Sequence, residues 1–155
     1  MSKTAEHLYV LYNNPFILYP IIVDFYKHYE GSQKNDILLS YLIFPIVLYE
    51  ESKNDLQRAE HRRVIRTFVK EKDRLYGLTR RIAEFKNLTN LSIQLAIDKK
   101  LLIVDQNLSV QVDNELFAIQ ERRLETYLKA SANLAKMLKN TEVLAIYRQF
   151  GIKEI

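Results

Sequence analysis

Tyr76–Val112 reads YGLTRRIAEFKNLTNLSIQLAIDKKLLIVDQNLSVQV, and its interpretation decides the fold. Leu75, Leu78, Ile82, Ala83 and Phe85 recur at helical spacing and predict a helix over 73–85, with Gly77 as a weak point inside it. Lys86–Leu88 reads as a turn. Thr89 is a good N-cap, because its hydroxyl can accept an otherwise unpaired amide at a helix start, and it predicts a second helix over 90–99. Leu101–Val104 and Leu108–Val112 read as short strands around the turn Asp105-Gln106-Asn107. Ser109 and Gln111 alternate with Leu108, Val110 and Val112, so one face of the hairpin is expected to be wet.

Helix, tight turn, helix and hairpin follow the order of the second half of a winged helix. The flanking sequence is helical too. Asn14 and Pro15 suit a helix start, because proline lacks an amide that would be unpaired there. They predict a helix over 15–30 that is apolar on nearly every face up to Asp24. Asp36 is placed to cap a helix over 37–49, with Pro45 deep inside the apolar run and a kink expected near Phe44. Asn54 or Asp55 would cap a long amphipathic helix over 55–70. Downstream, Asn114 caps a helix running to about Leu138, and Asn140 and Thr141 cap a last helix over 142–149 that Gly151 stops. The expected fold is mainly α: one domain over 1–155, with helices in 15–50, a winged-helix-like part over 55–112 with a hairpin at about 101–112, and C-terminal helices over 114–150.

Composition bounds the function. The 155 residues are 48% hydrophobic and 27% charged, which is ordinary for a globular chain. There is no cysteine, which excludes a disulfide framework and thiolate metal sites and agrees with a cytoplasmic location. The first twenty residues lack a basic start, a long apolar core and a cleavage site, so no signal peptide is expected. The apolar run 37–49 is too short to span a bilayer, which needs about 20 residues. The net charge is +4 and unevenly placed. Lys53–Lys86 holds eleven Lys or Arg against five Asp or Glu, so this stretch carries +6 and the remainder is slightly acidic. Such a run is either a solvated helix face or a surface for nucleic acid or an acidic partner. Its candidate contacts are Arg58, Arg62, Arg63, Arg66, Lys70, Arg74, Arg80 and Arg81.

No pattern carries enzyme chemistry. His7, His28 and His61 have no metal-ligand spacing. The phosphate-binding loops and the nucleophile elbow have no match, and three glycines cannot build such loops. Asp98 and Asp105 fit solvated turns. Neither an activity nor a cofactor is expected. DNA reading through the winged helix is a separate possibility, namely a small winged-helix transcriptional regulator. A major-groove reader needs exposed Arg, Lys, Asn or Gln near the start of its recognition helix. Helix 90–99 offers Asn90, Ser92 and Gln94, with Lys99 and Lys100 at its far end, and the turn 105–107 is acidic to neutral. This argues for a packing and docking module, with any DNA contact made by the basic stretch through phosphates.

Four stretches carry a resemblance: NPFILYPIIVDFYKHY at 14–29, LLSYLIFPIVLY at 38–49, RRVIRTFVKEKDRLYGLTRRIAEFKNLTNLSIQLAIDKKLLIVD at 62–105, and ANLAKMLKN with TEVLAIYRQFGIKEI from 132 to the end. Together they make the chain similar to the small middle component of ABC-ATPase three-component systems, which overlap with the Lamassu antiphage systems. The resemblance implies a non-enzymatic adaptor. Its partners would be an SMC-like or Rad50-like ATPase that senses foreign DNA and an effector, often a nuclease, held inactive until DNA is engaged. The apolar helices 15–30 and 37–49 and the last helix would then supply protein contacts, with Phe16, Tyr19, Leu42, Phe44, Tyr49, Tyr147 and Phe150 as the candidate interface residues.

Overall fold

The computed structural model describes residues 13–58, 64–71, 75–113 and 122–154. Its described helices are α1 Pro15–Tyr29, α2 Ser40–Val47, α3 Glu50–Arg58, α4 Ile65–Val69, α5 Leu78–Asp98, α6 Glu125–Leu138 and α7 Val143–Gln149. Single 3-10 turns cover Asp36–Leu39 and Arg122–Leu124. The strands β1 Leu102–Val104 and β2 Val110–Val112 pair antiparallel, with Leu102 opposite Val112 and Val104 opposite Val110.

α1 is the central helix. Asn14 caps it, its side chain accepting from the Phe16 amide at 3.0 Å, and Pro15 fills the first turn as expected. Its apolar faces are covered within the chain: α6 and α5 pack on it, β2 touches it, and α2 lies against α5 and α6. Phe25 stacks on Tyr29 at 5.7 Å and meets Tyr26 edge-on. One continuous apolar core therefore draws on α1 to α7 and the hairpin.

The expected turn at 86–88 is absent. α5 runs unbroken from Leu78 to Asp98. The reason lies in its stripe: Leu78, Ile82, Phe85, Thr89, Ser92 and Ala96 alternate by four and three residues, and none is exposed. A stripe of that period holds one continuous helix face against a core. Thr89 and Ser92, read as a cap and a polar surface residue, are fully buried on it. α5 packs on both α1 and α2. A helix followed by a hairpin thus holds over 78–112, without the internal turn on which the winged-helix reading rested.

Two other boundaries differ from expectation. The polar segment 50–54 begins a helix, α3, rather than preceding one, with Glu50 and Glu51 in its first turn, where carboxylates favour the helix dipole. The expected helix over 55–70 is broken, because Val64 is extended at φ −101° and ψ 152°. At 37–49, a 3-10 turn precedes a short α2 that contains Pro45. At the chain's end the last helix has Glu142 as its N-cap residue, without a side-chain bond from Asn140 or Thr141, and its first amide, Val143 N–H, donates to the Gln33 side chain instead. Gly151, at φ +73°, then lets the chain turn so that Ile152 is buried. The predicted start at Asn114 lies outside the described residues.

The last turn of α2 has an unusual cover. The terminal carbonyls of a helix have no intrahelical donor. Here Leu48 N–H donates to Phe44 O at 2.9 Å, Arg81 Nε donates to Pro45 O at 3.0 Å, and the Ser52 hydroxyl donates to Ile46 O. Arg81 also lies over the Tyr49 ring, 3.7 Å from its centroid, and donates to Tyr76 O. One guanidinium thus ties α5 to α2 and to the turn before α5.

Asp36 makes the second joint. It does not cap a helix through its side chain. Its carboxylate is buried, with Oδ1 accepting from Val110 N–H at 2.7 Å and Oδ2 accepting from Ser109 Oγ and Gln33 N–H at 3.2 Å each. Burial lifts its pKa, and the donors from Val110, Gln33 and Ser109 oppose that rise. Ser109, expected on a wet strand face, is buried for this reason.

Arg81→Ala is expected to lower unfolding free energy by about 2 kcal/mol, the scale of lost hydrogen bonds to a charged group. Arg80→Ala should stay within about 0.5 kcal/mol, as exposed ion pairs do. Urea titration of both variants measures the difference. Asp36→Ala should cost about 2 kcal/mol by the same titration, because it strands buried backbone donors, and β2 amides should lose hydrogen-exchange protection first.

Candidate nucleic-acid and partner surfaces

The basic stretch divides into cations that are free and cations that are used. Arg58 ends α3 and is exposed. Arg66 and Lys70 are exposed on and just after α4, four residues apart and therefore on one side. α4 buries its other side through Ile65 and Phe68, and Phe68 meets Phe150 edge-on at 6.3 Å. Arg58, Arg66 and Lys70 engage no carboxylate among the described residues. Arg80 is exposed but pairs with Glu84 at 2.9 Å. Arg81 is the half-buried clamp described above, with burial pulling its pKa down against the influence of Tyr49 and Glu84. It is a packing residue. Arg62, Arg63 and Arg74 lie outside the described residues, as do His7 and His61.

The residues that would read DNA bases are engaged elsewhere. Asn90 accepts from the Tyr41 hydroxyl at 2.6 Å, Ser92 is buried, and Gln94 donates to Asp98 at 2.9 Å. The hairpin tip does not project as a free wing. Asp105 Oδ1 accepts from the Asn107 and Ser109 amides and so closes the turn on itself. Asn35 N–H donates to Asn107 O at 2.9 Å, and Ile37 N–H donates to Leu108 O at 3.1 Å. The tip is fastened to the segment after α1.

Most of the candidate interface residues prove to be packed inside the chain. Leu42 and Phe44 are fully buried, and Phe44 lies 6.4 Å from Phe85. Tyr147 and Phe150 are buried too, with the Tyr147 hydroxyl donating to Leu38 O. Tyr49 is half-buried beneath Arg81. Tyr19 is half-buried, with the Lys99 ammonium 5.6 Å from its ring. Leu42, Phe44, Tyr147 and Phe150 therefore belong to the chain's own core, whereas Tyr19 and Tyr49 keep part of their surface. Phe16 differs, at 70% exposure.

The sequence reading missed a groove of about 520 Å³ between residues 33–38 and the start of α7. Leu144 stands at its lip, 61% exposed. A signal was available, because Val143, Ile146, Tyr147 and Phe150 form the buried stripe of α7 and Leu144 falls outside it.

Among the described residues no cluster of His, Asp and Glu could hold a metal ion, and no helix is long and apolar enough to cross a membrane. Comparison with curated proteins and with solved structures gave no match. Residues 2–154 match a family model described as ABC-three component (ABC-3C) system Middle Component 3. With nearly every residue inside that match, the chain belongs to the Middle Component 3 family of ABC-three component systems, and it works with the other components of such a system.

Proposed function

We propose that the chain is a non-enzymatic accessory subunit of a cytoplasmic, Lamassu-type antiphage complex. It bridges an SMC-like ATPase and an effector, a nuclease in the favoured case, and restrains the effector until foreign DNA is engaged. ATP hydrolysis and cleavage belong to the other chains. The observation that carries the reading is the exposed trio Arg58, Arg66 and Lys70, unmatched by carboxylates among the described residues, on a chain that belongs to a multi-component system. Cations left free in this way suit phosphates or an acidic protein face, and such contacts are independent of sequence and sensitive to salt.

A free-standing winged-helix regulator fits less well. Its base-reading side chains would have to leave Tyr41 and Asp98, and its wing would have to leave residues 35–37.

The test reverses the trio together, as Arg58→Glu, Arg66→Glu and Lys70→Glu, in the reconstituted system. All three are exposed, so thermal melting should match the wild type. DNA-triggered output should fall at least about tenfold, and the slope of log affinity against log salt should shrink by about 2 to 3, close to one unit for each phosphate no longer neutralised. An unchanged DNA response would remove the basic-surface reading. Tight sequence-specific duplex binding by the lone chain would favour the regulator.

A further inference from the structure

The groove between residues 33–38 and α7 is built before anything enters it. Gln33 fastens its two walls: its side-chain amide donates to Thr141 O at 3.0 Å and to the Tyr29 hydroxyl, and its Oε1 accepts from Val143 N–H at 3.1 Å. The Tyr147 hydroxyl, donating to Leu38 O, adds a second tie. Leu38, Val143, Leu144 and Tyr147 give the groove an apolar lining, with Lys34 on one wall and Glu142 on the other. Its volume of about 520 Å³ lies within the range of roughly 300–1,000 Å³ typical of binding clefts.

Two observations indicate what it takes. First, Lys34 and Glu142 are both exposed, and neither forms an ion pair with the other or with any described residue. Opposite charges left unmatched across an apolar slot are complementary to an inserted segment of mixed charge. Second, Leu108 flanks the same 35–38 segment from the hairpin side, 48% exposed and at φ +57°. A left-handed backbone costs an L-residue roughly 1–2 kcal/mol, and asparagine or glycine would bear it more easily. The chain instead holds a leucine there, turned partly to water and bonded through its carbonyl to Ile37 N–H beside the groove wall, and Leu144 of the groove lining is exposed as well.

We infer that this groove docks an amphipathic helix of another component of the system. The helix inserts one large apolar side chain between Leu38 and Leu144, with an acidic residue facing Lys34 and a basic residue facing Glu142, and its apolar face extends over Leu108. Recognition is the helix-in-groove mode, in which residues three or four apart supply the anchors. The inference rests on the accessory-subunit reading for the existence of the partner.

The experiment uses the complete co-expressed system. Benzoylphenylalanine replaces Leu144 in one variant and Gln94, on the outer face of α5, in a control. Irradiation followed by mass spectrometry should join position 144 to another component and leave position 94 unlinked. Leu144→Asp, at an exposed site, should keep the melting temperature and weaken co-assembly at least tenfold. Lys34→Glu combined with Glu142→Lys should weaken it as well. If wild type co-assembles but position 144 gives no crosslink, or links only to a second copy of this chain, the groove assignment is wrong and the accessory reading survives. If wild type does not co-assemble at all, both fail.

Discussion

A carboxylate sealed from water must find donors, and Asp36 finds them in the hairpin and in its own loop: Val110 N–H, Ser109 Oγ and Gln33 N–H. Burying an ionised group is costly unless such bonds compensate it. The position of β2 against α1 follows from that requirement, as does the burial of Ser109. The flanking backbone bonds from Asn35 to Asn107 and from Ile37 to Leu108 then hold the hairpin tip. The neighbouring Gln33 reaches the other way, to Thr141 and Val143. The short segment after α1 therefore ties the hairpin to the C-terminal helix, and it forms one wall of the groove while Gln33 fixes the other, the start of α7, to it.

This geometry changes what the molecule can use to bind. A wing pinned to its own chain and a helix whose candidate readers are either bonded, as Asn90 and Gln94 are, or buried, as Ser92 is, are poor readers of base edges. Among the described residues, free cations remain on α3 and on and just after α4. Exposed apolar side chains also remain, notably Leu144 in the groove, Leu108 in the hairpin turn and Phe16 at the start of α1. The surface thus offers charge for phosphate or an acidic face in one place and shaped apolar contact in another. That division suits a component that works between partners.

The sequence made the helical class, α1 with its Asn14-Pro15 start, the hairpin and the Gly151 stop legible, because each rests on local chemistry. The continuity of α5 was legible in principle from its four-three stripe. Thr89 concealed it, because the hydroxyl that makes a good cap is equally small enough to sit on a buried face. The core role of Leu42, Phe44, Tyr147 and Phe150 could not be separated from an interface role by pattern alone, since an apolar face is the same whether its cover comes from α5 and α6 or from another chain. Arg81 was hidden for the opposite reason. In a run of cations nothing marks the one that will stack on Tyr49 and satisfy the last turn of a proline-containing helix thirty-six residues upstream. The Asp36 joint spans more than seventy residues of sequence, and local reading offered only a helix cap.

The central claim is that this chain is a working part of an assembly rather than a free agent. Size-exclusion chromatography with light scattering, on the co-expressed system with and without this chain, tests it most directly. The account predicts one complex whose mass includes this chain, and an effector whose restraint before DNA is lost when the chain is omitted. A complex of full activity and unchanged restraint, assembled without the chain while the chain elutes alone, would contradict it.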